Sequence, residues 1–471
     1  MHSQRQEEQI KKFKDMNNCI AAIDIGTSKV ATIVGEKTSS GIRIIGYAEA
    51  QSEGVHRGSV LNIQKVMNSI TPTIREVNEQ VATLPDTAEY RIREIYAGIS
   101  GPNLKSFSTT LKRIRNKADK LITSEEIQNM LEEMHNTRVD AGKQIYQVVS
   151  QYYNVDEQMG ITDPVGMEGK EIEGTYRLFI GSASNVGYSK SVYDRLNLKI
   201  KQTILNPIAS AEAVLSDDDK ELGTAMVDIG GGTTEIAIYH DNILRHVAII
   251  PFGGNSITED IRQVCGISIK NAELLKRQHG TCISDFAPDN KVVIIRDGNG
   301  NTIKEVKFKL LALAIEARVS EIIASVMHEI ELSGYRDKIR NGLVLTGGTA
   351  YLNHIQVLAK HICNMDVKIA FPGEVKITSN SLQDVNRPGA STAVGLIIKG
   401  FENQEETGES DTSNIDGTIF GDSASETGKP EDPQPNKAQK VKEKKRGNLK
   451  SRLGGFVGGF GGLFEEDDNE A

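Results

Sequence analysis

The sequence predicts an α/β protein made of one duplicated unit, interrupted by a small α/β insertion and followed by a polar tail. Three observations predict it. The phrase Asp-Ile-Gly closes an apolar strand twice, at Asp24 and at Asp228. Each phrase is followed by two more strand-like runs joined at glycine turns. After Gly400 the apolar periodicity stops, and Gly, Ser, Pro and acidic residues take over.

The elements follow in order. Residues 1–17 are charged and lack the apolar centre of a secretory signal. CIAAIDIG, KVATIVGEK and GIRIIGYAEA read as three strands turning at Gly26 and Gly41. Val60 to Val81 carries a helical apolar stripe, and IREIYAGIS is a further strand. The insertion spans residues 100–180, with a helix opened by Ser124. There Ile127 occupies the position where a capping box has Glu or Gln. GTAMVDIG, TTEIAIYHD and ILRHVAIIPFG repeat the three-strand pattern. The implied subdomains are 18–99 with 181–216 and 392–401, then 217–256 with 332–391, and an upper piece at 257–331. A disordered linker is expected at 402–440 and a distinct tail at 441–471.

Composition narrows the function. With 25% charged residues and a net charge of −9, the body attracts neither nucleic acid nor anionic lipid, so such contact needs a local basic patch. There is no Trp, which argues against a stacking surface for bases. Cys19, Cys265, Cys282 and Cys363 form no Cys-x-x-Cys pair and read as reduced, buried thiols. The histidines form no metal-binding cluster, and no run is long and apolar enough to span a bilayer.

Three glycine-containing turns suit a nucleoside triphosphate. In the first, Asp24 ends a strand, and Gly26, Thr27, Ser28 and Lys29 offer amides, hydroxyls and an ammonium to phosphates. Asp24 is placed to hold magnesium through water. In the second, Asp228 precedes Gly230, Gly231, Gly232, Thr233 and Thr234. Three successive glycines cost backbone entropy and imply close backbone approach. In the third, an apolar strand ends at Gly347, Gly348 and Thr349, where a flat backbone suits a purine and a helix start suits phosphate. Glu212, on the helix NPIASAEAV, is a candidate to orient an attacking water. Glu273, Lys276 and Arg277 share a helix face that fits ribose and an adenine edge, or an ordinary surface ion-pair ladder.

The tail carries eight basic residues between Lys437 and Arg452, Lys444, Lys445, Arg446 and Lys450 among them, against one acidic residue, Glu443. Leu449, Leu453, Phe456, Val457, Phe460, Leu463 and Phe464 recur at helical spacing. A basic run beside an apolar stripe is the pattern of a helix lying in an anionic membrane surface. Each cation contributes about 1 kcal/mol there. The interleaved glycines each cost about 1 kcal/mol in a helix, so helicity is expected only on the bilayer.

The ordered set DIGTSK, NPIASAEAV, DIGGGTTE, VLTGGTA and NRPGASTAVGLIIKG resembles the actin, sugar-kinase and heat-shock ATPase superfamily. GVHRGSVLNIQKV, NVDEQMGITDPVGMEG, ILRHVAIIPFGGN and NAELLKRQHG are similar to the FtsA family of bacterial cell-division proteins. The resemblance implies a duplicated actin-like (ribonuclease H-like) fold with an inserted subdomain. It implies ATP and magnesium as ligands, with Asp24 and Asp228 on metal-bound water, and at most slow ATP hydrolysis. It also implies self-association into filaments, contact with later division proteins, and a peripheral position on the cytoplasmic side of the membrane at the division site. The family binds the C-terminal peptide of FtsZ on the upper subdomain, where Lys307, Lys309 and Arg318 are the candidates here. A pilus-assembly relative or a small-molecule kinase are the alternatives on the same fold.

Overall fold

The computed structural model describes residues 18–102, 104–116, 120–296, 302–373, 376–378 and 383–406. The membrane-contact candidates in the tail, from Lys444 to Phe464, lie outside the described residues, as does the N-terminal extension.

Strands β1 (Cys19–Ile25), β2 (Lys29–Thr38) and β3 (Gly41–Gln51) form an antiparallel meander, as the glycine turns predict. A short hairpin, β4 (Val55–His56) and β5 (Ser59–Val60), then leads to helix α1 (Ile63–Ala82). The helix starts three residues later than Val60. The Asn62 side chain accepts the Lys65 amide and caps it, while Val60 pairs with Val55. Strand β6 (Glu94–Ile99) follows.

The insertion is a four-stranded sheet in the order β7-β10-β8-β9: β7 (Lys105–Ile114), β8 (Lys143–Val155), β9 (Gln158–Ile161) and β10 (Glu171–Ser182). Helix α2 (Ser124–His135) covers it, and the module has its own core around Met130, Tyr153 and Tyr176. The N-cap of α2 is Thr123, not Ser124. Its hydroxyl accepts the Glu126 amide while the Glu126 carboxylate accepts the Thr123 amide, which completes a capping box.

Helix α3 (Ala183–Arg195) and strand β11 (Lys199–Leu205) complete the first half. Helices α4 (Asn206–Val214) and α5 (Asp217–Leu222) lead to β12 (Thr224–Ile229), β13 (Thr234–His240) and β14 (Ile243–Ile250). The upper region holds α6 (Gly254–Cys265), α7 (Ile269–His279), the hairpin β15 (Val292–Arg296) with β16 (Thr302–Lys307), and the long α8 (Phe308–Ser333). Then come β17 (Leu343–Thr346), α9 (Ile355–Cys363), β18 (Val367–Ile369) and α10 (Ser391–Glu406). The helix α10 continues past 401, and Glu402 pairs with Lys376 and Lys399.

The duplication is visible in the sheets. The first is ordered β11-β6-β1-β2-β3 and the second β14-β13-β12-β17-β18. In each half the first strand is antiparallel to the second and parallel to the fourth. Period-two alternation places Ile20 and Ala22 in one core, and Ala21 and Ile23 in another. In β12, Met226 joins the core shared by the halves, while Ala225, Val227 and Ile229 pack with α6, α8 and α9.

Helices α4 and α10 occupy that shared core, and every residue of α4 is buried. They cross at Gly395, where a Cβ would stand 1.7 Å from the Ala209 carbonyl oxygen. The small residue sets the distance between the helices. All four cysteines are buried, and none is in a disulfide.

Candidate functional site

Two hairpin turns with the same hydrogen bond face each other. In the β1–β2 turn the Gly26 amide donates to the Lys29 carbonyl at 2.9 Å, and in the β12–β13 turn the Gly230 amide donates to the Thr233 carbonyl at 2.9 Å. A Cβ on Gly231 would lie 1.9 Å from Ser28 Oγ, and one on Gly232 would lie 2.4 Å from Thr27 Oγ1. Gly231 and Gly232 are therefore required by contact between the two turns.

Other elements converge on the second turn. The Gly254 amide and Thr349 Oγ1 both donate to the Gly230 carbonyl, at 2.9 and 3.0 Å. The Asn255 amide donates to the Gly231 carbonyl at 2.7 Å, and Ser28 Oγ donates to Asn255 Oδ1 at 3.1 Å. Gly347 has φ 88°, and a Cβ there would meet Asp228 Oδ1 at 2.3 Å. A 3-10 turn, Gly348–Tyr351, follows β17 where the sequence suggests a helix start, and α9 begins only at Ile355. Gly348 faces open space, with nothing within 4 Å of a Cβ placed on it.

Asp24 and Asp228 are both buried and are coupled electrostatically. Asn206 Nδ2 donates to Asp24 at 3.4 Å. Ser210 Oγ donates to Asp228 at 2.7 Å and Thr392 Oγ1 does so at 3.3 Å. Burial pushes the Asp24 carboxyl up to about 6; Lys29 draws it back, and Asp228 adds to the rise. Burial also raises Asp228, against the Ser210 and Thr392 hydrogen bonds.

A third carboxylate joins them. Glu235 is buried, and burial together with Asp228 and Asp24 pushes it up to about 8, opposed by hydrogen bonds from Ser100 and Thr233. It, rather than Glu212, is the glutamate grouped with the two aspartates. Glu212 is not brought to the cluster. Its carboxylate is locked in a buried pair with Lys220 at 2.6 Å and is reached by Lys376 at 3.2 Å. Those cations outweigh burial and hold Glu212 below the usual range. One signal for Glu235 was present in the sequence: a four-residue turn after Ile229 puts Glu235 directly opposite Asp228.

Lys29 is placed differently from its expected free approach to phosphate. Its ammonium binds Glu49 at 2.9 Å and Tyr47 at 3.2 Å, and Arg387 pairs with the same Glu49 at 2.7 Å. Burial disfavours the Lys29 charge, but Tyr47 and Glu49 outweigh it. Lys276 is buried, donating to the Gly254 carbonyl at 2.9 Å and Thr258 Oγ1 at 2.7 Å, with Glu273 at 2.6 Å. A Cβ on Gly254 would lie 2.4 Å from Thr349 Oγ1 and 3.5 Å from Lys276 Nζ, so these groups form one wall. Arg277 is exposed on the surface of α7.

Lys307 is exposed at the end of β16. Lys309 is engaged with Asp285 at 3.0 Å, and Arg318 makes a two-pronged pair with Asp260 at 2.5 and 3.0 Å.

Two matching halves, joined by crossed helices and closing Asp-Ile-Gly hairpins on each other, define the actin-like class. A chain of a "PilM-PilN type IV pilus biogenesis complex" has this fold at a TM-score of 0.55 and 14% identity, covering 81% of this chain and 98% of that one. The model for "Cell division protein FtsA" matches residues 225–395, and that for the "SHS2 domain inserted in FTSA" matches 101–180. The Cell division protein FtsA of Pseudomonas aeruginosa is 32% identical over 390 residues, 82% of this chain and 90% of that protein. That of Neisseria meningitidis serogroup B is 31% identical over 380 residues, 80% and 89% respectively. The chain belongs to the FtsA family of cell-division proteins.

Proposed function

We propose that the chain binds ATP with magnesium in the cleft between its halves and joins the FtsZ ring to the cytoplasmic face of the membrane at the division site. The observation that carries the nucleotide reading is the buried trio Asp24, Asp228 and Glu235 beside two facing glycine turns. Three adjacent carboxylates without a full set of cations favour a bound positive charge. Among the described residues no three His, Cys, Asp or Glu side chains converge on one ion. The oxygen donors fit magnesium held by Asp24 and Asp228 through water, completed by phosphate. When bound, the ion would neutralise phosphate charge. With the ion bound, the ionised Glu235 carboxylate would take a proton from an attacking water in a slow hydrolysis. The Lys276 wall would hold the nucleoside.

The partner reading rests on the upper subdomain. Val292, Ile294, Leu310 and Leu313 are exposed large apolar residues from the β15–β16 hairpin and the start of α8, the region that also holds Lys307 and Lys309. Apolar side chains near cations suit an acidic, partly apolar peptide such as the FtsZ C-terminus. Arg318, already paired, is the weaker of the three candidates. Among the described residues no helix is long and apolar enough to cross a membrane. The basic run and apolar stripe of the tail support it as the membrane attachment. Filament formation and recruitment of later division proteins complete the role.

Calorimetry with magnesium-ATP tests the cleft: the unaltered chain binds, and Asp228→Asn binds at least tenfold more weakly. No affinity in the unaltered chain overturns the reading. Deleting residues 449–471 should release the protein from anionic vesicles while ATP binding persists. Unchanged co-sedimentation removes the anchor.

A further inference from the structure

We propose that Ser100 is a positioning residue for Glu235, and that through it the inserted sheet and the nucleotide cleft form one coupled unit. The proposal rests on the nucleotide reading above and concerns how that site is regulated.

Its ground is the way the insertion is rooted. The chain leaves the first half after β6 at Ser100 and returns through β10 into α3, which carries Asn185. Ser100 Oγ donates to Glu235 Oε1, and Asn185 Nδ2 donates to the Ser100 carbonyl. The outgoing segment and the returning helix are thus tied together at the point that touches the cleft carboxylate. Gly101, with φ 153°, closes the root: a Cβ there would lie 2.5 Å from Asn185 Nδ2. On the other side, a Cβ on Gly58 would lie 2.9 Å from Ser100 Oγ, and the Gly58 amide donates to Thr27 Oγ1 at 2.9 Å. Ser100 therefore stands between Thr27 of the first turn and Glu235 of the second half.

The body of the insertion rests on the other half. Gln151 of β8 donates to the Leu244 carbonyl of β14 at 3.0 Å and accepts from Arg245 Nη1 at 3.3 Å. The module belongs to the first half by chain connection and leans on the second. A change in the separation of the halves must alter the root, the rest, or both.

The chemistry gives this coupling a direction. A serine hydroxyl has one proton, and here it is committed to Glu235. A ligand that draws the two halves together over the cleft presses Glu235 of the second half toward Ser100 of the first. Ligand binding thereby tightens the root of the insertion. By linkage, a partner that holds the insertion in its tightened position raises nucleotide affinity by the same factor.

The test is amide hydrogen exchange on the full chain with and without magnesium-ATP, comparing the unaltered protein with Ser100→Ala and Ser100→Thr. In the unaltered protein, ligand should slow exchange in β7 and β8 about fivefold or more, the lower end of ordinary coupling. Ser100→Ala removes that slowing while the β12–β13 hairpin is still protected, and Ser100→Thr restores it. Gln151→Ala is a second variant that leaves the root intact; it removes the slowing in β8 alone. Slowing in β7 and β8 that survives both Ser100→Ala and Gln151→Ala overturns the coupling. Magnesium-ATP affinity with no slowing in the unaltered protein overturns it too and leaves the nucleotide reading standing. Absence of affinity removes both.

Discussion

Glu235 stands directly opposite Asp228 across the β12–β13 ladder, and both carboxylates are buried. Two buried like charges facing one another cannot both ionise cheaply. Glu235 is raised to about 8 and Asp24 to about 6, so the folded chain holds protons that the unfolded chain releases. The stability these groups confer is complete below the ordinary carboxylate range and is lost as pH rises through about 6 and then about 8. The ligand-free chain should lose stability on the order of a few kcal/mol between about pH 5 and 9. Thermal melts across that range check it. Glu235→Gln should flatten the upper part of the fall, and magnesium-ATP should flatten it in the unaltered protein. A melting temperature that rises with pH across the interval contradicts the burial of these groups.

The glycine run Gly230–Gly232 gives a second prediction. Gly231→Ala drives a Cβ to 1.9 Å from Ser28 Oγ, which forces the two turns apart. Overpacking of this kind costs typically about 1–3 kcal/mol. It should weaken magnesium-ATP binding as well, because the turns are the proposed phosphate cradle. Ser28→Gly removes both obstructing atoms. Gly231→Ala with Ser28→Gly should therefore be more stable than Gly231→Ala alone, and a double-mutant cycle by denaturant melts measures the recovery.

Local pattern carried much of the architecture and stopped where contacts are distant in the chain. The strands of both meanders were legible because their residues alternate between cores, as Ile20 and Ala21 do. The duplication was legible because Asp24 and Asp228 end equivalent strands. The cap of α2 lay one residue earlier than expected, although Thr123 and Glu126 already had capping-box spacing. Glu212 reads as a free helix carboxylate because its second partner, Lys376, is 164 positions away, and helical position says nothing of such a contact. Lys29 likewise reads as a free ammonium until β3 brings Tyr47 and Glu49 beside it.

The crossing of α4 and α10 offers a paired prediction. Gly395→Ala sets a Cβ 1.7 Å from the Ala209 carbonyl oxygen, a backbone atom inside a fully buried helix. No side chain can swing away to relieve it, so the halves must separate. A loss at or above the upper end of overpacking costs, about 3 kcal/mol, is expected. Gly187 in α3 is the control, since nothing lies within 4 Å of a Cβ placed there. Gly187→Ala should stabilise the chain by roughly 1 kcal/mol through helix propensity. Thermal melts of the two variants should move in opposite directions.

Glu212 separates a structural carboxylate from a chemical one. Its partners Lys220 and Lys376 tie α4 to α5 and to the approach to α10, and Glu402 shares Lys376. Removing the carboxylate leaves the Lys220 ammonium buried without its counter-ion. Breaking a buried pair from one side costs about 3–5 kcal/mol, so Glu212→Ala should be strongly destabilised. Replacing both partners, as in Glu212→Met with Lys220→Met, should recover much of that loss, because no unpaired charge remains. Nucleotide affinity of whatever fraction folds should be unchanged, since Glu212 does not reach the cleft trio. Glu235→Gln should behave in the opposite way: a stable chain at neutral pH with slowed ATP turnover. Denaturant melts and single-turnover hydrolysis on the two variants distinguish the roles, and a hydrolysis defect in the folded Glu212 variants would return Glu212 to the chemistry.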